Sequence, residues 1–393
     1  MVKAAAACVV LSVLLLGGYM LHNRTDFGDV ETIGQYSRGF DDLRSRFVDL
    51  ARRVGAPYAY TVLARAKLPS GTDLHLLGHA VGDVLYQQKG IAGMILCTPE
   101  FRNACSHSIV INALYEFGDG ALQKIHDACM QAPGGTGAYT MCFHGLGHGV
   151  FTYFKQDLAK TVEFCRRVGT PEHHNREYTE CVGGAIMELV DPGAGIGGDE
   201  VALDRARAKY LLDPLAPCMS PVMPDDAKSI CLTYLTPRLW IQAGIDMSRP
   251  DSSKFTKAFS YCNAIPAGRK NLREICYAGF GKEFLTLAAS RDVRHVDQQP
   301  DESLRKIGTW CSYAKSLDGE NACVGDAVAG LFWGGENDPN GAFRFCSTLQ
   351  TTAKEACFNR LVGEIRNYTN GDKKNMLCAR LPSAEQMACR GTP

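Results

Sequence analysis

The chain lacks most of the short motifs that carry well-known enzyme chemistries. It contains no GxSxG, no HExxH, no GxxxxGK[ST] and no CxxC or CxxCH. These absences argue against elbow-type serine hydrolases, zincin proteases, P-loop nucleotide hydrolases, thioredoxin-like redox sites and c-type haem attachment. Net charge is also absent, because 42 lysines and arginines balance 42 aspartates and glutamates. No overall electrostatic field attracts nucleic acid, and we expect no nucleic-acid partner.

Long apolar runs are equally scarce. Only residues 4–21 form one, and eighteen apolar or small residues can just span a bilayer core. A cleaved signal peptide is the alternative, but no small-x-small cleavage site follows Leu16. We therefore predict an uncleaved membrane anchor over residues 1–21, a polar stalk over 22–37 and a single ectodomain over 38–393. This places the ectodomain outside the cytoplasm, on the periplasmic or extracellular side.

Cysteine, in contrast, is abundant. Of the 17 cysteines, Cys8 lies in the apolar run and the other sixteen lie between Cys97 and Cys389. An even number of cysteines outside the cytoplasm predicts a disulfide framework, whereas sixteen reduced cysteines would be unusual even in a cytosolic protein.

The cysteines also mark a repeat. Alternate cysteines precede runs of small and apolar residues at helical spacing, and successive ones are 37, 39, 50, 45, 47 and 34 residues apart. Periods of this length are typical of αα-hairpin arrays. We predict an all-α fold of about eight such hairpins, curved into a solenoid or a closed toroid, with the first helix of each hairpin on the concave side. The helix-opening cysteines are Cys105, Cys142, Cys181, Cys231, Cys276, Cys323 and Cys357.

Sequence alone leaves disulfide connectivity open. Pairing each cysteine with its next neighbour is the scheme that treats every repeat alike and staples each loop between repeats. The predicted pairs are Cys97–Cys105, Cys129–Cys142, Cys165–Cys181, Cys218–Cys231, Cys262–Cys276, Cys311–Cys323, Cys346–Cys357 and Cys378–Cys389.

Histidines cluster in three consecutive repeats. Counted from the opening cysteine, or from Asp73 in the first repeat, two positions recur: +2 and +6. These positions lie one helical turn apart on one face, and adjacent helices pack about 8–10 Å apart, so all the rings can converge. Imidazole is a common ligand of zinc, copper and iron, which predicts a divalent transition-metal site. The alternative is that the histidines only satisfy buried hydrogen bonds. The predicted ligands are His75, His79, His107, His144 and His148.

Acidic residues at position +7 supply candidate catalytic groups. Glu188 and Glu283 follow runs of small and apolar residues, where a carboxylate is costly unless it is paired or solvated. Either one can act as the general base of a metal-activated water. We therefore predict a membrane-tethered metal-dependent hydrolase or oxidoreductase. The alternative is a non-enzymatic scaffold that binds a peptide, glycan or lipid on the concave face.

Overall fold

A computed structural model describes residues 28–191, 200–246, 250–294, 296–333 and 339–391. These residues form α-helices, short 3₁₀ helices and turns, and no strand occurs among them. The predicted all-α class is confirmed. The predicted anchor lies outside the described residues. None of the helices that the structure describes combines the length and the apolarity needed to cross a bilayer.

Twenty α-helices make up this part of the chain. They are α1 Gly28–Thr32, α2 Phe40–Val54, α3 Ala56–Arg65, α4 Leu74–Lys89, α5 Glu100–Phe117, α6 Leu122–Met130, α7 Gly135–Tyr153, α8 Leu158–Arg166, α9 Arg176–Val190, α10 Glu200–Tyr210, α11 Lys228–Tyr234, α12 Thr236–Ala243, α13 Phe255–Ser260, α14 Lys270–Ala288, α15 Asp301–Ser312, α16 Leu317–Trp333, α17 Asn340–Thr348, α18 Thr351–Tyr368, α19 Gly371–Ala379 and α20 Ser383–Arg390.

The first helices of the predicted repeats pack against one another in chain order, and all of them except α4 carry an opening cysteine. Each of α4, α5, α7, α9, α11, α14, α16 and α18 contacts the next in this series. Helix α11 is short because the helical conformation is interrupted at Leu235. Helix α12 begins directly afterwards and has Pro237 in its first turn, where the missing N–H leaves no helical hydrogen bond unmade.

Glycine allows α7 and α9 to touch at the backbone. A Cβ on Gly147 would lie 1.9 Å from the carbonyl oxygen of Cys181, and one on Gly184 would lie 1.9 Å from that of His144. No larger residue fits at either position without moving a helix. Gly147 and Gly184 therefore reflect a close crossing of α7 and α9, whereas Gly149 on the other side of His148 faces Ile111 of α5.

All eight predicted disulfides are present. The paired Cα atoms lie between 5.4 and 5.8 Å apart, within the usual range for the bond. The first seven bridges each join a helix of the series to the segment that precedes it, and the eighth, Cys378–Cys389, joins α19 to α20.

Polar contacts bring the end of α14 back to the start of the series. Arg294 donates hydrogen bonds to the carbonyl oxygens of Leu63 (3.2 Å) and Ala66 (2.7 Å). Arg291 lies 3.6 Å from Asp73, which caps the N-terminus of α4. The segment after α14 is thus linked to α3 and to the N-terminus of α4, although 231 and 228 residues separate Arg294 from Leu63 and Ala66.

Candidate metal centre

The structure brings all five predicted histidines together. Helix α4 carries His75 and His79, α5 carries His107, and α7 carries His144 and His148. Successive rings have centroids 4.6 to 6.0 Å apart. Four of the side chains are buried, and His75 is half-buried.

In the first pair, His75 and His79, both Nδ1 atoms are hydrogen-bond donors. Nδ1 of His75 donates to the carbonyl oxygen of Phe101 (2.6 Å). Ser108 gives its hydroxyl proton to the carbonyl oxygen of His79 (2.9 Å), so its oxygen accepts from Nδ1 of His79 (3.1 Å). A neutral imidazole has one N–H, so Nε2 of each ring carries a lone pair. These two Nε2 atoms lie 3.1 Å apart.

The second pair repeats this arrangement. Nδ1 of His148 donates to the buried carboxylate of Glu188 at 2.9 Å, which leaves the lone pair on Nε2. That Nε2 lies 3.3 Å from Nε2 of His144, whose Nδ1 is 3.5 Å from the carboxylate of Glu180. Nδ1 of His144 has no hydrogen-bond partner among the described residues. If its proton lies on this Nδ1, on the side of Glu180, the second pair also has two lone pairs that face each other.

Between the two pairs lies His107. Its side chain is 1% exposed, and neither ring nitrogen has a hydrogen-bond partner among the described residues. Leaving buried polar groups unpaired costs roughly 1–3 kcal/mol each. One nitrogen from each of His75, His79 and His107 can be chosen so that all three lie within 4.8 Å of one another.

Burial disfavours protonation of four of the five rings. Burial lowers the pKa of His75 and of His144 to about 4. Burial, followed by the neighbouring histidines, holds the pKa of His79 and of His107 well below the usual range. These four rings are therefore neutral near pH 7, in the form that binds metals.

The spacing of the facing Nε2 atoms is compatible with a metal ion between them. Two nitrogens bound at about 2.0–2.1 Å to one tetrahedral ion lie roughly 3.3–3.4 Å apart. The Nε2 separations of 3.3 Å and 3.1 Å are close to this value. Metal-binding histidines typically donate their other N–H to a carbonyl or carboxylate, as His75 and His148 do here.

A strained turn holds the acceptor for His75. Phe101, Arg102 and Asn103 at the start of α5 have φ of 53°, 55° and 63°, so three successive residues are left-handed. Such conformations are costly without glycine and concentrate at functional sites. The turn directs the Phe101 carbonyl at His75, and Arg102 donates a hydrogen bond to Thr286 on α14.

A cavity of about 370 Å³ adjoins the cluster between α4, α5, α9, α12 and α14. His75 is the one member of the cluster that lines it. Glu283 also lies in its wall, 3.4 Å from the ammonium group of Lys282. The remaining lining residues are Asp73, Leu76, Arg102, Met187, Asp191, Pro237, Ile241, Ile245, Asp246, Thr286, Leu287, Arg291 and Val293.

The two predicted catalytic glutamates therefore occupy different environments. Glu188 is 2% exposed and contacts His148, whereas Glu283 faces the cavity. Their catalytic role stays a prediction, but these contacts suit Glu188 to orienting a ligand and Glu283 to contacting a substrate.

Sequence reasoning missed three neighbours of His144. Glu180 lies beside its Nδ1, the Tyr234 ring lies 4.7 Å from its own, and Lys282 lies 3.7 Å above the Tyr234 ring. Lys282 occupies position +6, where His79 and His148 stand in their repeats. This shared repeat position is the sequence signal that could have identified Lys282. Glu180 precedes its cysteine, and nothing in the repeat marks it.

Comparison of the chain with family models, curated proteins and solved structures gives no significant match. Functional inference therefore rests on the site.

Proposed function

We propose that the histidine cluster binds a divalent transition metal ion, zinc, copper or iron. The observation that carries this proposal is the His75–His79 pair, in which two nitrogen lone pairs face each other at 3.1 Å. A cation between them removes the repulsion, whereas a proton does so poorly because desolvation lowers the pKa of both rings.

We further propose that the metal centre belongs to an enzyme that acts on a small molecule. The cavity is large enough for a small substrate and reaches the cluster at His75. A zinc ion would polarise a substrate or activate water for hydrolysis, and copper or iron would support oxidation–reduction. Glu283 is the candidate base and Glu188 the group that orients His148.

The architecture that we propose is an array of αα-hairpins with the metal centre on the concave side. The chain-order packing of the cysteine-opened helices and the contacts from α14 back to α4 support a curved, ring-like arrangement. The eight disulfides are compatible with an oxidising location outside the cytoplasm, and residues 1–21 are the proposed membrane tether.

The scaffold alternative has less support. A peptide or glycan groove is usually lined by exposed aromatic side chains. The described wall of the cavity contains no phenylalanine, tyrosine or tryptophan.

Elemental analysis of the purified, disulfide-intact protein tests the metal proposal. We expect bound zinc, copper or iron in the wild type and a lower metal content per chain in His79→Ala. His174→Asn is the matched control, because His174 is exposed and lies in a left-handed conformation that asparagine accepts. Wild-type protein that binds none of the three metals, even after incubation with each, would refute the proposal.

A further inference from the structure

We infer that the cluster binds two metal ions, and that the imidazole of His107 bridges them. This inference rests on the proposed metal-binding function and adds the number of ions and the role of each.

The cluster is built as two pairs with separate supports. His75 and His79 face each other and are oriented by Phe101 and Ser108. In the other pair, Glu188 on α9 accepts a hydrogen bond from His148, and the carboxylate of Glu180 lies 3.5 Å from Nδ1 of His144. Each pair already supplies two Nε2 atoms at a spacing that suits one ion, so a single ion would leave one pair with its lone pairs opposed.

His107 is placed between the pairs. Its ring centroid lies 5.5 Å from both His75 and His79, 5.7 Å from His144 and 6.0 Å from His148. Helix packing fixes this position, because a Cβ on Gly145 would come within 2.4 Å of the His107 ring. The ring is thus held against α7 and cannot turn away to find other partners.

Both nitrogens of His107 are available as ligands. Neither is hydrogen-bonded within the described part of the chain, and a single bound ion would use only one of them. One nitrogen completes a group of three with His75 and His79. The remaining nitrogen is left for an ion at His144 and His148, whose ring centroids lie 5.7 and 6.0 Å from that of His107.

Bridging requires one proton to leave. The first ion binds the nitrogen that carries the lone pair, and the second ion replaces the proton on the other nitrogen. That proton passes to solvent, the ring becomes an imidazolate that donates one electron pair to each ion, and no oxidant or reductant is needed. The negative charge on the ring also offsets part of the charge of two divalent ions in a buried site.

The two ions would have different exposure. The ion at His75 and His79 lies next to the cavity, since His75 forms part of the cavity wall. His144 and His148 are 2% and 1% exposed and do not line it. We therefore assign substrate contact to the first ion and a supporting role to the second.

Copper titration of the metal-free, disulfide-intact protein tests the inference. We expect two Cu(II) ions per chain in the wild type and in the His174→Asn control. His79→Ala and His148→Ala should each retain one ion, and the double variant none. Electron paramagnetic resonance of the wild type should give a double integral well below two spins, because an imidazolate couples the two ions. Each single variant should give one full uncoupled spin.

Azide binding and the number of bound ions and spins distinguish the ways in which the inference can be wrong. Azide should shift the copper spectrum of His148→Ala, which keeps the cavity-side ion, and should leave that of His79→Ala unchanged. One ion per chain, weakened by either substitution, would overturn the inference and leave the metal-binding proposal intact. Two ions with two full uncoupled spins would overturn the bridge. No bound metal at all would refute both proposals.

Discussion

Glu188 is a single residue whose sequence context and structural contacts suggest different roles. Its position in an apolar helix predicts a general base. In the structure, its buried carboxylate instead accepts a hydrogen bond from the Nδ1–H of His148. In Glu188→Gln the charge is lost, and the amide can present its NH₂ to Nδ1 and favour the wrong tautomer of His148. We expect metal affinity to fall about 10- to 100-fold, measured by competition with a chelator.

Glu364 supplies the control for this substitution. It occupies the same +7 position in a later repeat, is 4% exposed and pairs with Arg360 at 2.8 Å. Glu364→Gln should leave metal affinity unchanged. Equal losses of affinity in both variants would indicate a general effect on the fold and would remove the specific role of Glu188.

Asp326 on α16 is expected to make stability depend on pH. Burial raises its pKa to about 6 from an ordinary value of 3.8, against the opposing effects of Lys282 and Arg360 and with a smaller contribution from Glu283 in the same direction as burial. The native state therefore holds this proton more tightly than the unfolded state. The favourable contribution is complete below pH 3.8 and is lost as the pH rises through about 6.

Asp326→Asn should remove that dependence. The free energy of unfolding of the wild type, minus that of the variant, should fall by at most about 3 kcal/mol between pH 4 and pH 7. Urea titrations at several pH values give this difference, in which the shared titrating groups largely cancel. A difference that stays constant with pH would show that Asp326 titrates normally.

At the scale of the helix, Gly145 sets the spacing between α5 and α7. A Cβ there would lie 2.5 Å from Cα of His107, so Gly145→Ala must push the helices apart or displace the ring. Overpacking of this kind costs roughly 1–3 kcal/mol, and we expect metal binding to weaken as well. Denaturant unfolding and chelator competition measure the two effects.

Gly363 in α18 is the matched control for Gly145. A Cβ at Gly363 meets no atom within 4 Å, so alanine should raise helix stability by up to about 1 kcal/mol. The pair of substitutions separates glycine needed for close approach from glycine that only adds flexibility. A stabilising Gly145→Ala would contradict the tight crossing.

The helices and their bridges could be predicted from sequence because those signals are local. The repeated cysteine, the apolar spacing around it and the +2 and +6 histidines all lie within one helix or one loop. Partners such as Glu180, Tyr234 and the Phe101 carbonyl could not be predicted, because they depend on how one helix crosses the next. The left-handed turn at Phe101 lacks glycine, so composition gave no sign of it.

At the scale of the molecule, Arg294 links distant parts of the chain. Its hydrogen bonds to Leu63 and Ala66 connect the end of α14 to the end of α3. Arg294→Gln should lower the free energy of unfolding by roughly 1–3 kcal/mol. Hydrogen–deuterium exchange should rise mainly at the end of α3, because the carbonyl groups of Leu63 and Ala66 lose their hydrogen bonds to Arg294.

Arg344→Gln tests whether this effect is specific. Arg344 also donates to a backbone carbonyl, that of Gln299, and pairs with Asp301, but it connects segments near each other in sequence. Its loss should raise exchange around α15 and α17 and leave α3 protected. Similar exchange patterns in the two variants would argue against a link through Arg294.

The pattern of disulfides has a consequence for how the chain matures. Each of the eight bridges joins two cysteines that are consecutive in the sequence and 8 to 16 residues apart, and no described bridge spans another. A chain that enters an oxidising compartment N-terminus first exposes each cysteine only shortly before its correct partner. Pairing in order of appearance then gives the native bonds without rearrangement, and pulse-labelled chains on non-reducing gels should show no long-range intermediates. Dependence on a disulfide isomerase should accordingly be low for a protein with this many bridges.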